Sequence, residues 1–177
     1  LTLQIQAPAN EALKQLSKQL PHAHQGVVEA ALKLDHTWAE NVQHRSSEVK
    51  ALTLDSTLQS LQEALSHYQE AFTLHLANSS AIRAAGRHFK SGSFPIFCNR
   101  GTNGIEGSLS TAVGYALQMW GLSIVVIGDL SFFYDVNALW NTHLPHNLRI
   151  LLLNNGHGGI FDHLPGLDQS PARTEYV

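Results

Sequence analysis

Two short apolar runs limit the folds open to this chain more than anything else in it. Leu122-Ser-Ile-Val-Val-Ile127 and Arg149-Ile-Leu-Leu-Leu153 are almost wholly apolar, and the first is β-branched through its centre. Such runs read as strands buried on both faces, which points to a parallel sheet covered by helices. The first run ends at Gly128-Asp129, and 24 residues later the second leads into Asn154-Asn155. That gap holds one helical stretch, about what a right-handed strand-helix-strand crossover needs. Each dipeptide alone is also an ordinary turn, since Gly, Asn and Asp are common there for backbone reasons. Together they bring a carboxylate from Asp129 and an amide oxygen from Asn155 to the carboxyl ends of two strands, where ligands of open α/β sheets collect. Hard oxygen donors suit Mg²⁺, which fills its remaining octahedral positions with phosphates and water.

The same rhythm begins at Phe72. Phe72-Thr-Leu-His-Leu76 and Pro95-Ile-Phe-Cys98 read as strands, Ser80 to Phe89 and Ser108 to Trp120 as helices, and the two apolar runs follow. The expected fold is therefore α/β, a parallel sheet with helices on both faces. Upstream the pattern is helical. Asn10 to Leu20 carries Leu13, Leu16 and Leu20 at helical spacing and stops near Pro21, a second helix runs from about Val27 to Val42, and a polar link over Ser46 to Ser56 leads to a helix over Thr57 to Tyr68. Leu58, Leu61 and Leu65 form one stripe on that last helix, as packing requires. The domain reading is 1–71 as linker and helices and 72–177 as the sheet domain. Neither a repeat nor a low-complexity segment interrupts it.

Charge narrows the function classes. Eleven Lys and Arg stand against fourteen Asp and Glu, so no basic field of the kind that draws nucleic acid is present. No apolar run approaches the roughly 20 residues of a membrane-spanning helix. The lone Cys98 rules out an internal disulfide framework and fits a reducing cytoplasm. Histidines are numerous, but His22, His24, His36, His44, His67, His75 and His88 lie in separate contexts without dense pairing, which suits surface or cap roles better than a metal site.

Gly101, Gly104 and Gly107 punctuate the loop before the helix at Ser108, permitting positive φ and close backbone approach, although their spacing is not the dinucleotide fingerprint. Ser79 and Ser131 follow strand ends, where hydroxyls and backbone N–H groups at helix starts hold phosphate oxygens or simply cap the helix. Arg83 and Arg100 carry planar guanidinium forks suited to carboxylates, or to surface ion pairs.

Gly128-Asp129 with Asn154-Asn155 resembles the thiamine diphosphate signature, in which such a pair brackets a crossover and holds Mg²⁺ against the cofactor diphosphate. Four blocks narrow the resemblance: Asn78-Ser-Ser-Ala-Ile-Arg83, Asn99-Arg-Gly-Thr-Asn-Gly-Ile-Glu-Gly-Ser-Leu-Ser-Thr111, Gly128-Asp-Leu-Ser-Phe-Phe-Tyr-Asp-Val-Asn-Ala-Leu-Trp-Asn141 and Asn154-Asn-Gly-His-Gly-Gly-Ile-Phe161. They are similar to 2-succinyl-5-enolpyruvyl-6-hydroxy-3-cyclohexene-1-carboxylate (SEPHCHC) synthase of menaquinone biosynthesis, in its C-terminal, diphosphate-binding part, from about Phe72 to Gly166.

That resemblance implies a transferase that decarboxylates 2-oxoglutarate on thiamine diphosphate and adds the succinyl unit to isochorismate. It implies Asp129, Asn155 and the backbone carbonyl of His157 as ligands of Mg²⁺, with Mn²⁺ as an alternative; His157 stands where relatives carry Gly or a small polar residue. Ser79, Gly128 and Ser131 would face the diphosphate, Ile105 would prop the cofactor in its bent form, and the Asn103 carbonyl would receive the pyrimidine amino group. Arg83, Arg100, Ile160 and Phe161 would line the substrate cleft. Glu106 is not the activating glutamate, which in this superfamily comes from another domain of a partner subunit, so active sites shared within a homodimer or homotetramer are expected. The start at Leu1 and the end at Val177 both look cut, and the 177-residue chain alone is expected to be inactive. Two alternatives remain open: another thiamine-dependent 2-oxoacid decarboxylase or carboligase, and a non-catalytic cofactor-binding module.

Overall fold

The computed structural model describes residues 52–90, 92–163, 165–166 and 170–171, with the isolated positions 11 and 33. The helices expected over Asn10 to Leu20 and Val27 to Val42 lie outside the described residues. The chain divides into two compact units, Leu1–Glu48 and Val49–Val177, and the fold below is that of the second.

That unit opens with α1 (Leu54–Ser66), then alternates β1 (Phe72–Leu76), α2 (Ser80–His88), β2 (Ile96–Cys98), α3 (Ser108–Ala116), β3 (Leu122–Gly128), α4 (Asp129–Tyr134), a 3₁₀ turn at Val136–Leu139, β4 (Leu148–Leu153) and a 3₁₀ turn at Gly159–His163. All pairings are parallel, in the order β2-β1-β3-β4, with β2 and β4 at the edges of the described sheet. The strands fall where the apolar runs place them. The sheet is the expected all-parallel α/β arrangement.

Strand order fixes the layers. From β1 the chain moves one way to β2, then returns past β1 to β3 and continues to β4. Right-handed crossovers in opposite directions put α2 on one face and α3 on the other. Side chains agree with this. Thr73 and His75 of β1 meet Tyr115 of α3, the first by a hydroxyl contact of 3.2 Å and the second by an edge-on ring contact of 4.9 Å between centroids. Alternation along the strand turns Leu74 and Leu76 to the opposite face. Register pairs Leu74 with Ile124 and His75 with Val125, so β1 and β3 are covered on both sides and Leu74, Val125, Val126 and Ile127 have no exposed surface.

Helix limits differ from the sequence expectation for local reasons. α1 starts at Leu54 instead of Thr57 because Thr53 and Ser56 form a reciprocal capping box: the Ser56 amide donates to Thr53 Oγ1 at 3.1 Å and the Thr53 amide to Ser56 Oγ at 2.8 Å. That box satisfies two of the otherwise orphaned N–H groups. Leu58 and Leu65 are buried as the stripe requires, and Asp55 binds Arg87 at 2.7 Å and His88 at 3.0 Å on α2, so α1 packs against α2. α3 ends at Ala116, well before Trp120, because Leu117, Met119 and Trp120 are exposed and give a continued helix nothing to pack on. Gly121 is forced by close approach: a Cβ there would stand 2.7 Å from the carbonyl oxygen of Ala71.

Candidate functional site

The direction of the chain reverses between β1 and β3, since β1 leads outward to β2 and β3 leads outward to β4. A crevice therefore opens beyond the carboxyl ends of these two central strands, and such switch points are where open α/β sheets take their ligands. Asn78-Ser79 follows β1 there, Gly128-Asp129 closes β3, and Asn154-Asn155 follows β4 alongside, with Gly128 paired to Leu153.

Asp129 is 7% exposed and begins α4. Its Oδ1 accepts the Leu130 amide at 2.8 Å and its Oδ2 accepts the Gly156 amide at 2.8 Å, which ties the carboxylate to the turn after β4. The Gly156 amide also meets Asn154 Oδ1 at 2.9 Å. The Asn155 side-chain amide packs over Gly159, its Nδ2 2.7 Å from where a Cβ would stand, so a larger residue there would push this side chain aside. His157 holds its ring clear of these donors: Nδ1 lies 2.8 Å from the Asn155 carbonyl and Nε2 2.9 Å from Asp162. The turn is thus shaped around one carboxylate and backbone or amide oxygens, a donor set that fits a hard divalent cation. Among the described residues no cluster of three His, Cys, Asp or Glu side chains offers a softer site.

Ser79 takes φ 68° and ψ −130° and makes no side-chain capping bond. A non-glycine residue in such a region costs on the order of 1–3 kcal/mol and is held by its surroundings. Ser79 holds the N-cap position of α2 without a side-chain cap, whereas Ser131 is not an N-cap at all, because Gly128 occupies that place; its hydroxyl is buried and donates to the Ile105 carbonyl. The glycine loop carries Asn103 at φ 59° and Gly107 at φ 77°, and Ile105 is half-buried between them. Arg83 and Arg100 are exposed, and the described ion pairs engage neither. Burial pushes the Cys98 thiol up, opposed by the charge of Arg100 nearby. Ile160 and Phe161 are half-buried in the 3₁₀ turn after Gly158. The structure brings Asp129 to the 154–157 turn and Ser131 to Ile105, and it shows no direct bond joining the two arginines to either group.

Two residues escape the sequence reading. Asn78 is 3% exposed and donates through Nδ2 to the Asn99 carbonyl at 2.8 Å and to the Gly104 carbonyl. Asp135 is 7% exposed and accepts the Ser110 amide at 2.7 Å as well as the Ser110 hydroxyl. Their partners lie more than 20 residues away in sequence, so the only available signal was position: Asn78 two residues past a strand, Asp135 at the end of a short helix.

Sequence comparison finds relatives for most of this chain. A SEPHCHC synthase of Bacteroides fragilis (strain ATCC 25285) is 62% identical over 104 residues, 59% of this chain and 19% of the relative. One of Bacteroides thetaiotaomicron is 60% identical over 108 residues, 61% of this chain and 20% of the relative. The matched stretch is homologous to these synthases. A synthase of Christiangramia forsetii extends the match to 134 residues, 76% of this chain and 23% of the relative, at 46% identity. The chain thus spans about a fifth of the length of the curated relatives it matches. No family model matches it. Among the described residues no helix is long and apolar enough to cross a membrane.

Proposed function

We propose that residues 72–177 are the diphosphate- and metal-binding domain of a thiamine diphosphate-dependent SEPHCHC synthase, a cytoplasmic transferase acting on 2-oxoglutarate and isochorismate, with residues 1–71 as the lead-in from a preceding domain. One observation carries this reading. In a chain that matches such a synthase at 62% identity over 104 residues, the carboxylate of Asp129 is pinned to the 154–157 turn at the switch point of the sheet.

In this reading Asp129, the Asn155 side-chain oxygen and the His157 carbonyl hold Mg²⁺, with Mn²⁺ as the alternative, and the ion neutralises the diphosphate. The strained Ser79 and the turn at Gly128 bring backbone close to the diphosphate oxygens, and Ser131 acts from behind by holding Ile105. Ile105 props the cofactor and the Asn103 carbonyl receives its amino group. The bound cofactor supplies an electron sink for loss of CO₂, and the protein supplies placement and electrostatics. Arg100 and Arg83 take substrate carboxylates through bidentate bonds, and Ile160 and Phe161 close the apolar side of the cleft. The activating glutamate comes from a partner subunit of a homo-oligomer.

Calorimetry on the full-length enzyme tests the reading. Asp129→Ala removes the only anionic ligand and should abolish Mg²⁺-dependent binding of thiamine diphosphate while the fold survives. Unchanged cofactor affinity in that variant would remove the clamp and the reading with it.

A further inference from the structure

The segment from Asn99 to Ser110, a loop that runs into the first turn of α3, links β2 to α3 and carries Arg100, Asn103 and Ile105. Three buried polar side chains from outside the loop grip it. Asn78, after β1, donates to the carbonyls of Asn99 and Gly104. Ser131, inside α4, donates to the carbonyl of Ile105. Asp135, the C-cap of α4, accepts both the amide and the hydroxyl of Ser110 in the first turn of α3. Within the loop, Asn99 donates to the Gly107 carbonyl at 3.1 Å and to the Thr111 hydroxyl at 3.0 Å, so the grips act on one internally braced segment.

Two of these grips share a short element with Asp129. α4 runs from Asp129 to Tyr134, so the carboxylate tied to the 154–157 turn, the Ser131 hydroxyl and the Asp135 carboxylate sit at the start, near the middle and at the end of fewer than two helical turns. So short a helix, bonded at both ends, has little room to bend between them. Bonds from a buried carboxylate to N–H and O–H groups are charge-assisted and are the strongest of their kind.

We propose that Asp135 is a positioning residue that, together with Ser131, couples the metal-clamping turn at Asp129 to the 99–110 loop, so that filling the clamp fixes the geometry of Asn103 and Ile105. This rests on the reading of the site as a diphosphate and Mg²⁺ site. A purely structural role for Asp135, capping α3, would change stability and leave communication between clamp and loop intact.

Hydrogen exchange on the full-length enzyme, with and without Mg²⁺ and thiamine diphosphate, separates these roles. In the wild type, adding both should slow exchange of amides in 99–110 and in 154–157 by at least tenfold. In Asp135→Ala and in Ser110→Ala the 154–157 amides should still be slowed, whereas slowing in 99–110 should fall below threefold in Asp135→Ala and to at most half its wild-type factor in Ser110→Ala, which keeps the Ser110 amide bond to Asp135. At saturating cofactor kcat should drop at least tenfold in Asp135→Ala and measurably in Ser110→Ala, with KM for thiamine diphosphate rising less than fivefold. Wild-type slowing of 99–110 in either variant, or an unchanged kcat, would overturn the coupling. Ser110 is exposed, and its alanine variant loses only one hydroxyl, so it decides the matter should Asp135→Ala fail to fold. The two ideas fail differently. No slowing at 154–157 in the wild type, or cofactor affinity surviving in Asp129→Ala, defeats the site reading and the coupling together; loss of cofactor binding in Asp129→Ala with full communication in Ser110→Ala defeats the coupling alone.

Discussion

Replacing one glycine by alanine at two positions of this sheet domain should move stability in opposite directions. At Gly121 an added Cβ would stand 2.7 Å from the Ala71 carbonyl oxygen and 3.3 Å from its carbon, both backbone atoms that no rotamer change can move aside. Relief requires β3 to withdraw by at least about 0.6 Å, to a tolerable C···O separation of roughly 3.3 Å. The same oxygen accepts the Leu122 amide at 3.1 Å, next to the first pair of the β1–β3 ladder, so withdrawal weakens that bond. Overpacking costs about 1–3 kcal/mol and the weakened bond about 1 kcal/mol, against about 0.5 kcal/mol regained because alanine restricts the unfolded chain. The net expectation is a loss of about 1.5–3.5 kcal/mol. At Gly114, on the exposed side of α3, nothing lies within 4 Å of the added methyl. There Gly114→Ala should gain about 0.5–1 kcal/mol, the usual helix-interior difference. Urea unfolding followed by far-ultraviolet circular dichroism measures both as midpoint shifts at constant m. A Gly121→Ala variant within 0.5 kcal/mol of the wild type, or a destabilised Gly114→Ala, would refute the reasoning.

Further expectations concern substrate, pH and the isolated chain. Arg100→Ala and Arg83→Ala in the full-length enzyme should each cost on the order of 2–5 kcal/mol where a carboxylate is left desolvated, lowering kcat/KM for 2-oxoglutarate or isochorismate well beyond tenfold with cofactor affinity nearly unchanged; wild-type constants in either would return that arginine to a surface role. Burial holds the His75 imidazole below its ordinary value of 6.5, and among the described residues its Nε2 has no partner. Below about pH 6.5 the unfolded chain therefore takes up a proton that the folded chain resists, so stability present above that value should decline on acidification until the folded pKa is reached. Thermal scans from pH 7.5 to 5 should show a flatter decline for His75→Phe, and parallel declines would discount the residue. Finally, the 177-residue chain alone should not turn over 2-oxoglutarate; a steady rate from the purified chain would show that no further domain is needed.

The parts legible in sequence are those where one physical demand dominates. Burial on both faces gives β1 and β3 runs that no surface segment would carry; β4 carries a similar leucine-rich run at the edge of the described sheet although none of its residues is fully buried, and the ends of all three strands predict where the polar turn residues gather. Helix ends were harder because small polar residues decide them: Ser56 completes a capping box in which Glu or Gln is the familiar partner, and Leu117, Met119 and Trp120 are apolar without being buried. Around the candidate site the dipeptides at 128–129 and 154–155 were visible because each ends an apolar strand with oxygen-bearing residues. Asn78 and Asp135 were not, since their meaning comes from carbonyls and amides brought near by the fold, and an asparagine or aspartate after a strand or helix reads equally well as a turn.

The open edges of the sheet bear on handling. β4 is Leu148-Arg-Ile-Leu-Leu-Leu153, pairs only with β3 among the described residues, and leaves Leu152 exposed. Its one charge, Arg149, folds back so that its guanidinium bonds the carbonyls of His146 and Leu148 at 2.9 and 2.8 Å. A six-residue stretch rich in leucine, with unpaired backbone groups and a single charge drawn down onto its own main chain, has the composition from which cross-strand stacking starts. The chain should turn cloudy as concentration rises, and Leu152→Lys, at the exposed leucine of the strand, is the gatekeeper substitution that should keep it clear.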